Sequence, residues 1–175
     1  NYDSLDSTNN LALEFARQGA SEGTVIASTY QTRGRGRFKR KWISPRGKGL
    51  LCSIILRPNL KTSSASILTH VAAASIVELL RTRFKLPAKI KKPNDVLVAE
   101  RKIAGILTES SSYGKRLEYV VIGIGLNVNA KRGELVKGAT SIYSEAKEKV
   151  ENEALLDELL SIFSVKYEGL NGKVK

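Results

Sequence analysis

The chain has no methionine and only one cysteine, one histidine and one tryptophan among its 175 residues. A single thiol, Cys52, cannot form an internal disulfide, which fits a reducing, cytoplasmic setting. Without methionine there is no initiator, so the chain is expected to be trimmed at its start. Uninterrupted apolar runs, such as residues 71–74 and 120–122, are far too short to span a bilayer, and no signal-peptide pattern opens the chain. Acidic residues are also scarce. There are 17 against 29 lysines and arginines, a formal net charge of +12. Such a balance calls for an anionic partner: a nucleic acid, a phosphorylated small molecule or an acidic protein.

What is present is ordinary globular material. Hydrophobic residues make up 42% and charged residues 26%, which excludes a disordered chain. The length suits one domain that buries a core without disulfides or metal. Helical spacing predicts helices over 7–18, 64–84 and 152–170, the first started by Ser7 or Asp6 and stopped by Gly19. The second carries a stripe of Ile67, Leu68, Val71, Ala72, Ile76, Leu79 and Leu80. Strands are expected over 24–28, 50–56, 88–91, 96–99, 102–109 and 118–129, with a hairpin turn at 100–101. Residues 140–143 are too short to assign. Strands come in neighbouring groups separated by helices. The expected class is α+β, a mixed, largely antiparallel sheet packed with helices, in a single domain over 1–175.

Positive charge is concentrated. Arg33, Arg35, Arg37, Lys39, Arg40, Lys41, Arg46 and Lys48 follow one another with no acid between them. They lie in a long loop, 30–49, and a loop of that length inside a compact domain is functional or disordered. Eight like charges repel, so the empty loop is expected to be mobile. Gly34 and Gly36 permit positive φ and leave backbone N–H groups open to a ligand. Arginines between them offer planar forks to phosphate or carboxylate oxygens, and Trp42 offers a flat apolar face. That combination suits a nucleotide, a nucleic acid or a merely solvated loop. It is not a Walker A loop, and Gly123-x-Gly125 lacks the third glycine of a dinucleotide fingerprint.

A second constellation is Lys91-Lys92-Pro93-Asn94-Asp95, in which Lys91 stands at a strand end and can offset charge developing at a phosphate. Asn94 and Asp95 are turn formers first. Lys102 can reach a phosphate, and Gly105 can admit close backbone approach within its strand. His70 reads as a packed or partly exposed helix residue and Cys52 as buried filler rather than a nucleophile.

Taken in order, four pieces resemble the catalytic domain of the biotin protein ligases. They are Asp6-Ser7-Thr8-Asn9; Gln31-Thr-Arg-Gly34-Arg35-Gly36-Arg37 through Trp42-x-Ser44-Pro45-x-Gly47-x-Gly49-Leu50; Lys91-x-Pro93-Asn94-Asp95 with Lys102-x-x-Gly105-Ile-Leu-x-Glu109; and Gly123-Ile-Gly125-Leu-Asn127-Val-Asn129. The set spans roughly 3–129. The resemblance implies a monofunctional ligase that makes biotinyl-5'-AMP from biotin and ATP with Mg²⁺. The biotinyl group then passes to a lysine of the biotin carboxyl carrier domain of a biotin-dependent carboxylase.

By family position, Ser7, Thr8, Asn9 and Gln31 would bind the biotin head, while Arg35, Gly36 and Arg37 would close over biotin and adenylate. Lys91 would contact the carboxylate and the α-phosphate, and Lys91, Arg35 and Arg37 form the catalytic set. Trp42 would pack near adenine, Asn94 and Lys102 would serve ATP and Mg²⁺, and Gly123 and Gly125 would bring strand backbone against the bicyclic ring. No residue is assigned as a resident metal ligand. The resemblance allows a homodimer and implies neither a membrane nor DNA as a specific partner.

Two residues depart from the family pattern. Lys39 stands where the loop usually has glycine, and Lys92 stands where tryptophan usually follows the catalytic lysine. Both bear on rate and affinity more than on fold. The family's N-terminal helix-turn-helix and small C-terminal β-barrel domains are expected to be absent. A lipoate- or octanoyl-type enzyme of the same fold and a basic nucleic-acid-binding module are the alternative readings; a ligase that binds biotin without turnover is a third.

Overall fold

A computed structural model of the chain describes residues 1–171. The N-terminal segment shows how local chemistry starts the fold. Helix α1 (Thr8–Arg17) begins after Ser7, whose side chain makes no capping bond. Asp6 braces the start instead, accepting from the Ser7 N–H at 2.5 Å and from the Asn10 side-chain Nδ2 at 2.7 Å. Gly19, at φ +90°, ends the helix as expected.

Strands β1 (Val25–Ser28), β2 (Gly49–Leu56), β3 (Lys89–Lys91), β4 (Asp95–Val98), β5 (Arg101–Tyr113) and β6 (Arg116–Asn127) form one sheet in the order β1-β2-β6-β5-β4-β3. The sheet is not mixed. Every pairing between these strands is antiparallel, because β3 to β6 follow one another through tight turns and β6 returns beside β2. Parallel contacts occur only as isolated bridges, such as Leu5 with Gln31. The β4–β5 turn lies one residue earlier than expected, at Ala99 and Glu100, both at positive φ.

The two faces of the sheet do different work. On one, α2 (Ala65–Thr82) and α4 (Asn152–Asn171) cover Leu50, Cys52, Ile54, Ile106, Val120, Ile122, Ile124 and Leu126 to make the main core. On the other, α1 covers Ile55, Tyr119 and Val121 with Ala12 and Ala16. Side chains alternate along a strand, so the α1 face also carries Ser53, Gly105, Leu107, Glu109, Gly123 and Gly125. Those are the residues around which the cleft is built.

The expected stripe of α2 is buried except Ile67, which is 40% exposed at the start of the helix. The segment Thr62–Thr82 is long and apolar enough to cross a bilayer, which uninterrupted runs do not disclose. Here its apolar stripe packs on the sheet. Residues 140–143 start a short helix, α3 (Ile142–Ala146), with Ser141 Oγ accepting from the Ser144 N–H at 3.0 Å. His70 is exposed, and Cys52 is fully buried, its thiol pKa pushed up to about 12 by burial. That agrees with a packing role.

Leu79 lies in the last turn of α2 with no exposed surface. Leu79→Ala should cost about 2–5 kcal/mol of unfolding free energy, measured by urea denaturation.

Candidate active site

The basic loop is not irregular. Arg35 pairs antiparallel with Lys41, the Trp42 N–H donates to Gly34 O at 2.9 Å, and the Gly36 N–H donates to Arg40 O at 2.8 Å. The result is a small hairpin over the open end of the sheet. Its base is tied to the N-terminal segment through the N–H groups of Thr32 and Arg33, which donate to Leu5 O and Asp6 O at 2.8 Å each.

Neither Gly34 nor Gly36 uses positive φ. The left-handed positions are Phe38 (φ 54°) and Lys39 (φ 59°) at the tip. So the sequence departure at Lys39 falls on a position that favours glycine, at a cost of about 1–2 kcal/mol. Gly34 serves a different need, since a Cβ there would overlap the carbonyl oxygen of Trp42.

The hairpin, the start of α1 and the β3–β4 turn enclose a cleft of about 310 Å³. Its walls include Ser7, Thr8, Asn9, Gln31, Arg35, Gly36, Arg37, Trp42, Lys91, Asn94, Lys102, Gly105, Gly123 and Gly125, which brings together all the sequence-predicted site residues but one. The exception, Gly34, is buried in the hairpin and lines a second hollow beneath it with Glu109.

Sheet register divides the cleft into two ranks. In the first, Ser53 faces Gly123, and Gly123 faces Leu107. Uncharged groups gather there. Thr8 donates its N–H and hydroxyl to Gln31 Oε1 at 2.7 and 3.1 Å, and the Ser53 hydroxyl lies 2.8 Å from Thr8 Oγ1 and 2.6 Å from Asn9 Oδ1. Asn9 rests where a side chain on Gly123 would be: a Cβ there would lie 2.7 Å from Asn9 Cγ. Ser7 is a buried residue on the cleft wall whose side chain makes no capping bond.

In the second rank, Gly125 faces Gly105, Gly105 faces Asp95, and Asp95 faces Lys91. Charge gathers at this end. Lys102 pairs with Asp95 at 2.7 Å and stands 5.4 Å from the centre of the Trp42 ring. Trp42 lies in the trough left by the two glycines. A Cβ on Gly125 would be 2.7 Å from its Nε1, and one on Gly105 would be 3.1 Å from its Cζ3. The indole N–H is enclosed without a partner.

Gly123 and Gly125 therefore receive Asn9 and Trp42 directly, and the cleft is lined by those side chains together with the glycine backbone. Asn94 is partly structural, its amide donating to Ile106 O at 2.8 Å.

Three of the eight loop cations have acids supplied by distant segments: Arg35 with Glu109, Arg46 with Asp3 and Lys48 with Glu134. Among the described residues, the cleft-lining Arg37, Arg40, Lys41, Lys91 and Lys92 make no ion pair. Asp95 is the one carboxylate on the cleft wall. Sequence reasoning missed Ser53 and assigned no role to Glu109. Ser53 sits in an apolar run, and only its lack of a hydrophobic side chain on the cleft face marks it.

This is an antiparallel α+β domain with one cleft divided into an uncharged hydrogen-bonding rank and a cationic rank. The chain belongs to the biotin/lipoate A/B protein ligase family, whose model matches residues 2–127. It is 38% identical over 170 residues to the bifunctional ligase/repressor BirA of Bacillus subtilis, covering 95% of this chain and 52% of that protein. It is 37% identical over 166 residues to the biotin–[acetyl-CoA-carboxylase] ligase of Paracoccus denitrificans, covering 91% and 68%. Its fold matches the biotin protein ligase of Aquifex aeolicus in complex with biotin and ATP, at a TM-score of 0.80 and 30% identity, over 96% of this chain and 69% of that one. The chain thus spans about half the length of the Bacillus relative.

Gly125→Ala should push the indole out of its trough at an overpacking cost of about 1–3 kcal/mol. Because Trp42 is the single tryptophan, the emission maximum should shift to the red. Lys39→Gly should raise stability by about 0.5–1 kcal/mol, the left-handed penalty relieved less the added chain entropy of glycine, measured by urea denaturation.

Proposed function

We propose that this domain activates biotin with ATP as biotinyl-5'-AMP and transfers the biotinyl group to a lysine of a biotin carboxyl carrier domain. The observation that carries the reading is the division of one cleft into an uncharged hydrogen-bonding rank and a cationic rank. Ser7, Thr8, Asn9 and Gln31 suit the ureido head of biotin. Lys91, Arg35, Arg37 and Lys102 suit its carboxylate and the phosphates of ATP.

In the first step a carboxylate oxygen of biotin attacks the α-phosphorus, and the bond to pyrophosphate breaks. Two anions must approach, so cations without carboxylate partners offset both their repulsion and the charge growing at phosphorus. Arg37, Lys91 and Lys92 are such cations, and Lys92 adds a charge where the family pattern has tryptophan. Holding both substrates along one sheet register supplies alignment. In the second step the neutral amine of an acceptor lysine attacks the biotinyl carbonyl, and AMP leaves.

Mg²⁺ enters here as the partner of ATP. Among the described residues no group of three acidic, histidine or cysteine side chains could hold a metal, and Asp95 alone offers a carboxylate to the cleft. That suits an ion held mainly by phosphates and water.

The name of the Paracoccus relative and the biotin and ATP bound in the Aquifex structure favour biotin over lipoate. The nucleic-acid alternative loses its support because the arginine-glycine segment is a hairpin tied over a cleft, not a free arm. The lone, buried Cys52 supports a reducing, cytoplasmic setting.

With biotin and Mg-ATP, mass spectrometry should detect biotinyl-AMP, and Lys91→Ala should slow its formation by about 100-fold or more. Lipoate in place of biotin should give little adenylate. Absence of adenylate together with no thermal stabilisation by biotin would sink the reading.

A further inference from the structure

We propose that Glu109 is a positioning residue that sets Arg35 and Asn9 for the ligand; the inference rests on the ligase reading above. Glu109 lies on the cleft face of β5, opposite Val121, with its side chain 25% exposed. Its two oxygens are divided between two elements. Oε2 accepts from Asn9 Nδ2 of α1 at 2.9 Å, and Oε1 accepts from Arg35 Nη2 of the hairpin.

Each contact removes a freedom. A carboxylate can only accept, so it holds the NH₂ side of the Asn9 amide toward β5, where Leu107 O also accepts it at 3.2 Å. The Asn9 carbonyl is thereby turned toward Ser53 and Gly123. On the other side, Arg35 Nη1 donates to Asn10 Oδ1 at 2.5 Å while Nη2 donates to Glu109. A guanidinium has five N–H donors, so two bonds grip it and three remain for a ligand. Arg35 also lines the cleft. Asn10 and Glu109 thus hold the guanidinium by one part of its fork and leave the rest free. One anionic group joins the helix that carries the uncharged donors to the hairpin that carries the cations.

Glutamine at this position has nearly the same shape but one amide NH₂. Whichever way that amide turns, it faces a donor, either Asn9 Nδ2 or Arg35 Nη2, so one arm is lost. Glu109 belongs to neither apolar core, so Glu109→Gln leaves the packed interior unchanged.

The test is a cycle of four proteins, namely wild type, Glu109→Gln, Arg35→Ala and the double variant, read by initial rates of biotinyl-AMP formation. Glu109→Gln should lower kcat/KM for biotin by about tenfold, the scale of a hydrogen bond to a charged group, with little change in melting temperature. On the Arg35→Ala background the same change should cost less than about threefold, because it acts through that arginine. Amide hydrogen exchange in the ligand-free proteins should show faster exchange over residues 32–42 in Glu109→Gln and unchanged exchange in α2. Full activity of Glu109→Gln, or losses that simply multiply, would overturn the proposal. If the wild type makes no adenylate, the ligase reading fails by itself. Hydrogen exchange then decides the Glu109 contact: faster loop exchange keeps it as the hairpin's anchor, and unchanged exchange removes it.

Discussion

The site depends on bare backbone at three positions of the sheet. Gly105, Gly123 and Gly125 occupy the cleft face of β5 and β6, where strand alternation would otherwise place side chains. Their absence lets the Asn9 amide and the Trp42 indole lie against the sheet, and both then become walls of the cleft. The contact works in both directions. Asn9 draws the start of α1 down onto the strands, and Trp42 draws the far arm of the basic hairpin into the same trough. A methyl group at Gly123 or Gly125 would displace structure belonging to another part of the chain, so these glycines fix tertiary arrangement more than local conformation.

Charge is the second constraint. The hairpin concentrates cations, and a compact domain must keep such a group together against repulsion. Acids from the N-terminal segment, β5 and the turn before α3 neutralise three of them. Arg46 and Lys48 lie outside the cleft wall and Arg35 lines it while paired, whereas Arg37, Arg40, Lys41, Lys91 and Lys92 line it with no ion pair among the described residues. Exposed pairs of this kind contribute little stability each. Their effect is on placement: they tie the loop to the N-terminal segment, to β5 and to the turn before α3. The tip adds strain, with Phe38 and Lys39 both left-handed and Phe38 80% exposed. Strained, exposed residues beside a cleft are features that stability alone does not select.

Much of this was legible in the residues. Hydrophobic spacing located α1, α2 and α4, and β-branched runs located the strands to within a few residues, because both signals are local. The ordered motifs named nearly every wall of the cleft. The misses have physical causes. The hairpin inside the basic loop was not visible, since arginine and lysine carry no alternation signal and its pairing depends on the close contact of Gly34 with Trp42. Gly34 and Gly36 suggested positive φ, whereas the turn fell two residues later on side chains with no preference for it. Ile67 has the right helical spacing for the core but stays 40% exposed beside Ala65 and Leu68, which do pack against it.

The sequence by itself determined the class of fold, the excess of cations, the family and nearly all of the residues that line the cleft. Those follow from local periodicity, composition and motif order, which need no knowledge of distant contacts. Tertiary structure decided which residues share a rank, which cations keep an acid, and what the glycines accommodate. Ser53, Glu109 and Asp3 stand far along the chain from the groups they hold, so only the pairing of β2, β5 and β6 and the docking of α1 could bring them there. Register sets that arrangement, and register is a property of the whole sheet.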